Sequence, residues 1–431
     1  MTSALSAAFF AVSLAVGQAP APAQQPASSS RSSITVDGQV VILGDTLPRR
    51  DAAELRPSVL LDLSGTLRRL RFEAELAVEA LLAHRDEFVS DAAVRPRDIW
   101  AEISAGRVEL RGGYGRVIWG RLDEIQPTDV VNPIDAARFL LDGRSEARLP
   151  VGFVRARVFA GETLTIEGVL VPWFRRASFD QRDEPTSPFN LVNDAVLPLG
   201  VATSSREVRQ DEPAASWANV SGGGRVSGTI KKVDVAVAAF RGFDGFGPIR
   251  FEITGPGPVA PLVVGELVES HPRFTMIGGD FETVLGKWAL RGELATFPER
   301  QLAGVSRPGL VSGSSVDAGL GFDRRTGDFR VFGSVIVHQE WSNEDPAVER
   351  EDWNLVGSIE RPFRRDRWLV RVFGIVNPGD QSSFLRGLVS WKPRDNVSVE
   401  ASGGAFLGTS DDAIGRFKGR DFLFGRLKYH F

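Results

Sequence analysis

Apolar and charged side chains alternate along this chain, segment after segment, and that period of two constrains the fold more than any other feature. In an extended strand successive side chains point to opposite faces, so alternation gives one apolar face and one polar face. Leu70, Phe72, Ala74, Leu76, Val78 and Ala80 fall on one side of such a segment, with Arg71, Glu73, Glu75 and Glu79 on the other. On a helix, charges spaced by two would be smeared around the axis, which favours the strand. Trp288, Leu290 and Leu294 alternate in the same way with Lys287, Arg291 and Glu293, and Trp368, Val370, Val372 and Val376 with Arg367 and Arg371. One such segment would suit a half-buried strand of a soluble sandwich. Repetition to the end of the chain predicts an all-β, antiparallel, up-and-down transmembrane barrel, with one face on lipid and the other on a lumen.

The final strand carries the pattern most sharply. Leu423, Leu427, Tyr429 and Phe431 share a face, opposite Arg426, Lys428 and His430. A terminal aromatic preceded by alternating apolar residues resembles the signal by which bacterial outer-membrane barrels are recognised for insertion. That resemblance implies a barrel-insertion partner reading Leu427, Tyr429 and Phe431. At the other end, Ala4 to Val16 is an apolar run too short to span a bilayer as a helix, and Ala21-Pro22-Ala23 offers a small-x-small cleavage site. Residues 1–23 therefore read as a signal peptide, 24–33 as a flexible periplasmic tail and 34–431 as the barrel. No later stretch is long and apolar enough for a transmembrane helix. The expected location is the outer membrane of a Gram-negative bacterium, with outer-membrane lipid as a partner.

Composition excludes several classes. The absence of cysteine removes disulfides, thiolate nucleophiles and thiolate metal sites. A formal net charge of -4, from 51 basic and 55 acidic residues, argues against nucleic acid, which needs concentrated positive charge. The four histidines, His84, His271, His338 and His430, show no ligand spacing, and no Gly-x-Ser-x-Gly elbow is present. An enzyme is not expected, nor any metal or cofactor.

Loop lengths test the barrel. With the C-terminus in the periplasm, connections must alternate between short periplasmic turns and longer extracellular loops. Counting back from Phe431, 409–420, 377–381, 342–351, 297–312, 243–272 and 174–216 fall outside, and the turns near 392–396, 362–366, 324–328, Gly286, 231–232, 161–162, 105–106 and 64–69 fall inside. The phase then requires a weakly patterned strand near Thr35 to Leu47. The total is about 18 strands, with 16 as the alternative, and 18 strands leave room for an aqueous lumen.

The polar face carries both signs. Arg71, Arg111, Arg155, Arg157, Arg291, Arg330, Arg371, Arg386 and Arg426 are offset by Glu73, Glu75, Glu79, Glu102, Glu109, Glu167, Asp234, Glu293 and Glu400. These are the candidate pore-lining residues. Either acids and bases face each other across the lumen, giving a transverse field, or they pair along the wall.

The segment from Gly112 to Asp135 has Gly-x-Gly-like spacing but no βαβ context, so it is not a nucleotide fingerprint. Trp119-Gly120 and Asn132-Pro133-Ile134-Asp135 resemble an element of a poorly characterised group of Gram-negative outer-membrane barrels, in which a strand ends in Trp-Gly and leads into a loop with Asn-Pro-x-Asp. The resemblance spans some 25 to 40 residues and implies movement of hydrophobic or small organic molecules. The loop from Arg121 to Pro150 is the candidate to fold inward and narrow the lumen, through Asp123, Glu124, Asp129 and Asp135. The longer loop from Phe174 to Ser216, with Phe189, Leu191, Val196 and Leu197, competes for that role. The expected function is a porin-like channel passing small solutes; a plugged structural or adhesive barrel and an outer-membrane hydrolase are the alternatives.

Overall fold

The structure, a computed structural model, describes residues 32–47, 52–84, 88–142, 147–178, 201–203, 208–256, 263–306, 309–408 and 414–431. The expected signal peptide, nearly all of the tail, and Phe189, Leu191, Val196 and Leu197 lie outside the described residues. In chain order the strands are β1 (Ser33–Leu47), β2 (Ala52–Leu67), β3 (Leu70–His84), β4 (Phe88–Ala105), β5 (Val108–Gly115), β6 (Val151–Ala160), β7 (Leu164–Val171), β8 (Val201–Thr203), β9 (Arg209–Asp211), β10 (Ser221–Ile230) and β11 (Val233–Phe243). They continue with β12 (Ile249–Pro256), β13 (Val263–Ser270), β14 (Arg273–Leu285), β15 (Trp288–Ala303), β16 (Leu310–Thr326), β17 (Phe329–Trp341) and β18 (Arg350–Phe363). The last four are β19 (Trp368–Asn377), β20 (Ser382–Arg394), β21 (Val397–Leu407) and β22 (Phe422–His430).

All but β8, β9, β12 and β13 belong to one 18-stranded antiparallel sheet, and β1 pairs with β22 to close it. The weakly patterned first strand is present, so the count is 18 and not 16. Connections alternate as the loop lengths predict: 68–69, 106–107, 161–163, 231–232, 286–287, 327–328, 364–367 and 395–396 are tight turns on one side. Three differences are instructive. The expected loop 297–312 is mostly strand, because a bulge between Phe297 and Arg300 absorbs Pro298, which cannot donate to the ladder. The expected loop 243–272 holds β12 and β13, which join β8 and β9 in a small sheet of their own. A short helix, α1 (Ala136–Asp142), sits in the loop after β5.

Outward-facing side chains form the apolar belt that lipid requires. Leu61, Val154, Leu170, Ile277, Leu320, Leu355 and Leu385 are all exposed. Aromatic pairs gather near the short turns: Trp368 stacks on Trp391 with centroids 5.6 Å apart, and Trp288 meets Phe322 at 5.3 Å. This is the girdle expected where hydrocarbon gives way to headgroups. Leu427, Tyr429 and Phe431 share the outward face of the last strand.

Closure depends on a close approach at the seam. The Gly38 N–H donates to the Phe431 carbonyl at 3.1 Å, and the Phe431 N–H donates back at 2.9 Å. The Phe431 ring lies over Gly38, where a Cβ would come within 2.4 Å of it. Gly38→Val should therefore destabilise the barrel by about 1–3 kcal/mol, the usual cost of overpacking, despite the better strand propensity of valine. Denaturant unfolding in micelles measures this, and Gly38→Val/Phe431→Ala should recover part of the loss. An unchanged midpoint for Gly38→Val would show that the ring moves aside freely.

Candidate functional site

The chain leaves the barrel wall at Gly115. Asp98, on neighbouring β4, accepts the backbone N–H of Arg116 at 3.2 Å and its Nε at 2.9 Å, which ends the pairing of β5. Trp119-Gly120 is therefore not the end of a strand, as the sequence suggested, but lies within the following loop. Trp119 is fully buried, donates from Nε1 to Glu167 at 2.6 Å and meets Phe240 edge-on at 5.9 Å. Gly120 has φ of 87°, and a Cβ there would come within 2.8 Å of the Glu293 carboxylate. Glycine is required both by conformation and by space.

Glu293, on β15, fastens this loop. Its carboxylate accepts the backbone N–H groups of Arg121, of Leu122 at 2.6 Å and of Thr128 at 3.0 Å, and also the Thr128 hydroxyl at 2.8 Å. Further contacts reach other strands. Arg121 donates to Asp280 on β14 at 2.5 Å, and Asp123 accepts from Arg291 on β15 at 2.6 Å. Glu124 accepts from Arg371 on β19 at 3.0 Å, while Arg386 on β20 donates to the carbonyls of Leu140, at 3.0 Å, and Leu141 near the end of α1. In the order of the sheet β19 stands nine places from β6, half of the 18-strand ring. Residues 116–142 thus cross the interior from one wall to the opposite one.

The loop also braces itself. Asn132 accepts the Val117 N–H at 2.7 Å and donates to the carbonyls of Leu149 at 2.7 Å and Gly115 at 3.3 Å, pinning the two ends together. Asp129 pairs with Arg148 at 2.6 Å. Asp135 caps α1 by accepting the Arg138 N–H at 3.0 Å. Of the four acids expected to face the lumen, Asp129 and Asp135 hold the loop's own shape, while Asp123 and Glu124 tie it to the wall. Apolar packing completes the fit: Leu122, Ile125, Phe139, Leu140 and Leu141 lie against a cluster that includes Phe332, Ile336 and Phe373, and Val117, Trp119 and Val131 against one that includes Phe153, Phe274 and Met276. Sequence reasoning missed Asp98, Arg116, Arg121, Asn132 and Asp280 as fasteners. The helix had a signal, since Asp135 precedes Ala-Ala-Arg-Phe-Leu-Leu.

Along the inner wall, charges pair mainly with neighbours. Glu102 receives Arg71 and Arg111, the latter at 2.6 Å, and lies 3.8 Å from Arg155. Arg157 reaches Glu167 at 3.1 Å, Arg330 reaches Asp323, and Glu79 lies 3.2 Å from Arg95. Glu75 lies 3.4 Å from Arg97, and Glu400 accepts from Arg426 at 3.1 Å and Lys428 at 2.8 Å. Glu73 stands on the same face of β3, opposite Trp100 on β4. Mutual pairing along the wall, rather than a simple acid-against-base division, describes these contacts. Desolvation inside the barrel raises the Asp123 carboxyl above the ordinary aspartate range, opposed by the positive charges of Arg291 and Arg330. Among the described residues no three His, Asp or Glu side chains converge to hold a metal ion.

A closed ring of 18 tilted strands with an apolar outer belt and charged inner face defines the class: an outer-membrane β-barrel with the porin fold. Solved structures show the same architecture. Pseudomonas aeruginosa OccK5 (OpdH) superposes with a TM-score of 0.50 at 9% identity, covering 93% of this chain and 97% of that one. OccD3 (OpdP) of the same organism gives 0.50 at 6%, covering 93% of each chain, and Acinetobacter baumannii OccAB2 gives 0.50 at 8%, covering 93% and 98%. At such identities the fold is what is shared. No protein-family model and no curated protein matches the sequence.

Replacing Glu293 by leucine leaves four buried donors without their acceptor, each costing about 1–3 kcal/mol. The expected outcome is a loop that proteases cut between residues 116 and 135 in an otherwise folded, heat-modifiable barrel. Equal protease resistance in Glu293→Leu and the parent would assign the loop's position to its other contacts.

Proposed function

We propose that this chain is a passive outer-membrane channel, in which residues 116–142 narrow a mixed-charge path for small solutes. The observation that carries the proposal is the loop's attachment across the barrel, to β15 through Glu293 and to the opposite wall through Arg371 and Arg386. Backbone away from the wall at membrane depth persists only when protein or water-facing surface satisfies it, and here side chains of β15, β19 and β20 do so. On this reading Arg71, Glu73, Glu75, Glu79, Arg111, Arg155, Arg157, Arg291, Arg330, Arg371, Arg386 and Arg426 line the path. The paired charges keep it polar without a strong net sign, and Asp123 and Glu124 set the narrow part. Glu293 has a different part, as the fastener of the loop.

Reconstitution into planar bilayers tests the proposal directly: folded protein should give discrete conductance steps, and silence from well-folded protein would sink the channel reading. Asp123→Asn/Glu124→Gln should shift selectivity toward anions. Two acids are lost, one acidic partner each of Arg291, which keeps Glu282 at 3.0 Å, and of Arg371, so a change of roughly twofold to fivefold in permeability ratio is expected, the factor given by up to about 1 kcal/mol of screened Coulomb energy. Reversal potentials measure it, and an unchanged ratio would place these acids off the path.

The pH dependence has a definite sign. A raised Asp123 protonates earlier than an ordinary aspartate as pH falls. The cation-to-anion ratio should therefore begin to drop above the usual aspartate range, and Asp123→Asn should remove that part of the curve. A parent curve that bends only within the ordinary aspartate range would contradict the assignment.

A further inference from the structure

We propose that the outward, extracellular rim of β11 and β14 is a binding site for the phosphate of an outer-leaflet lipid headgroup, held by Arg241 and Arg273. Strand alternation sets the direction of both side chains. Phe240 and Phe274 point inward and are buried, whereas Val237 and Ile277 face lipid. Arg241 shares the parity of Val237, and Arg273 that of Ile277, so both guanidiniums face outward. Arg241 is directly opposite Thr275, and Arg273 directly opposite Phe243, which places the two arginines diagonally on adjacent strands.

Their other contacts leave the positive charge uncompensated. Arg241 donates to the Thr275 hydroxyl at 3.0 Å. Arg273 donates to the Ala218 carbonyl at 2.7 Å and to Asn219 Oδ1 at 3.4 Å, and its guanidinium lies 4.3 Å from the centre of the Phe243 ring. Among the described residues neither has a carboxylate within ion-pair distance, unlike the nearby Arg176, which pairs with Glu212 at 3.7 Å. Arg361, outward on the opposite rim, has Asp328 at 3.7 Å. Two like charges placed together on a sheet surface repel. An anion between them turns that repulsion into two charge-assisted contacts, and the guanidinium fork matches phosphate geometry.

Height selects the source of that anion. Both arginines lie four residues beyond the exposed Val237 and Ile277, roughly 10 Å further along the tilted strands. That is headgroup level, where an outward basic residue costs about 0–1 kcal/mol rather than the larger penalty at the midplane. Trp217, 90% exposed, and Trp173, 52% exposed, stand on the neighbouring rim, with the amphipathic character suited to an interface. A site facing sideways into the leaflet meets lipid phosphate rather than solutes entering the lumen. The proposal holds whether or not the barrel conducts.

The test uses the folded full chain in micelles and native mass spectrometry with bisphosphorylated lipid A as the probe. Arg241→Gln/Arg273→Gln should retain about tenfold less lipid A than the parent, the factor corresponding to loss of about 1.4 kcal/mol. Arg273 also tethers the turn Trp217–Asn219, so Arg241→Gln alone, which leaves that tether intact, should lower retention severalfold. Dephosphorylated lipid A and phosphatidylcholine should bind the parent no better than the double variant. Equal retention of bisphosphorylated lipid A by parent and double variant would overturn the site. Parent retention of dephosphorylated lipid A at the level of the phosphorylated form would overturn the phosphate assignment. Displacement of lipid A by an equimolar amount of inorganic phosphate would overturn the lipid as its source.

Discussion

Peptide groups in hydrocarbon have no water to bond, and every other feature of this molecule is arranged around that constraint. An unpaired N–H or C=O there costs several kcal/mol, so a sheet in a bilayer must close on itself. Here closure joins the first strand to the last over Gln39 to Thr46 and Leu423 to His430, with Gly38 and Phe431 completing the seam. Closure also creates an inside and an outside. Once they exist, each strand must present apolar residues to lipid and can carry charges only toward the interior or at the interfaces.

The interior solves a second problem of the same kind. The segment 116–142 drawn into the barrel brings unpaired backbone with it. Glu293 answers most locally, since one carboxylate satisfies three backbone N–H groups and a hydroxyl. Asn132 answers at the loop's ends, and Asp135 at the start of its helix. These polar fasteners are backed by apolar side chains on the loop and inner wall, so position is set by packing as well as by charge. Several arginines of the wall, such as Arg111, Arg157 and Arg330, are held by acids on the same or nearby strands, Arg291 and Arg371 also by acids of the loop, and Arg386 by carbonyls of its helix.

Much of this was legible one residue at a time. Alternation from Leu70 onward identified the strands, and the lengths of their connections gave the phase that required a strand from Ser33 to Leu47. Where legibility failed, the cause was non-local. The stretch from Phe297 read as a loop because a bulge depends on the partner strand, which the local sequence does not name. Trp119-Gly120 looked like a strand end because nothing nearby says that Asp98 captures Arg116 and turns the chain inward. Glu293 obeyed the alternation and read as one more lumen charge. Its role comes from Leu122 and Thr128, more than 160 residues away in sequence.

The sequence by itself determined that this chain spans a membrane as a closed barrel, and nearly how many strands it uses. The reason is that lipid imposes a period of two on each strand separately, so the signal is local and repeated. Only the tertiary structure decided which loop enters the barrel, which wall it reaches and which charges hold it there. It alone also brought Arg241 and Arg273 side by side on the outer rim. Those outcomes depend on strand register and ring order, which bring residues far apart in the chain within hydrogen-bonding reach and leave no trace in either neighbourhood alone.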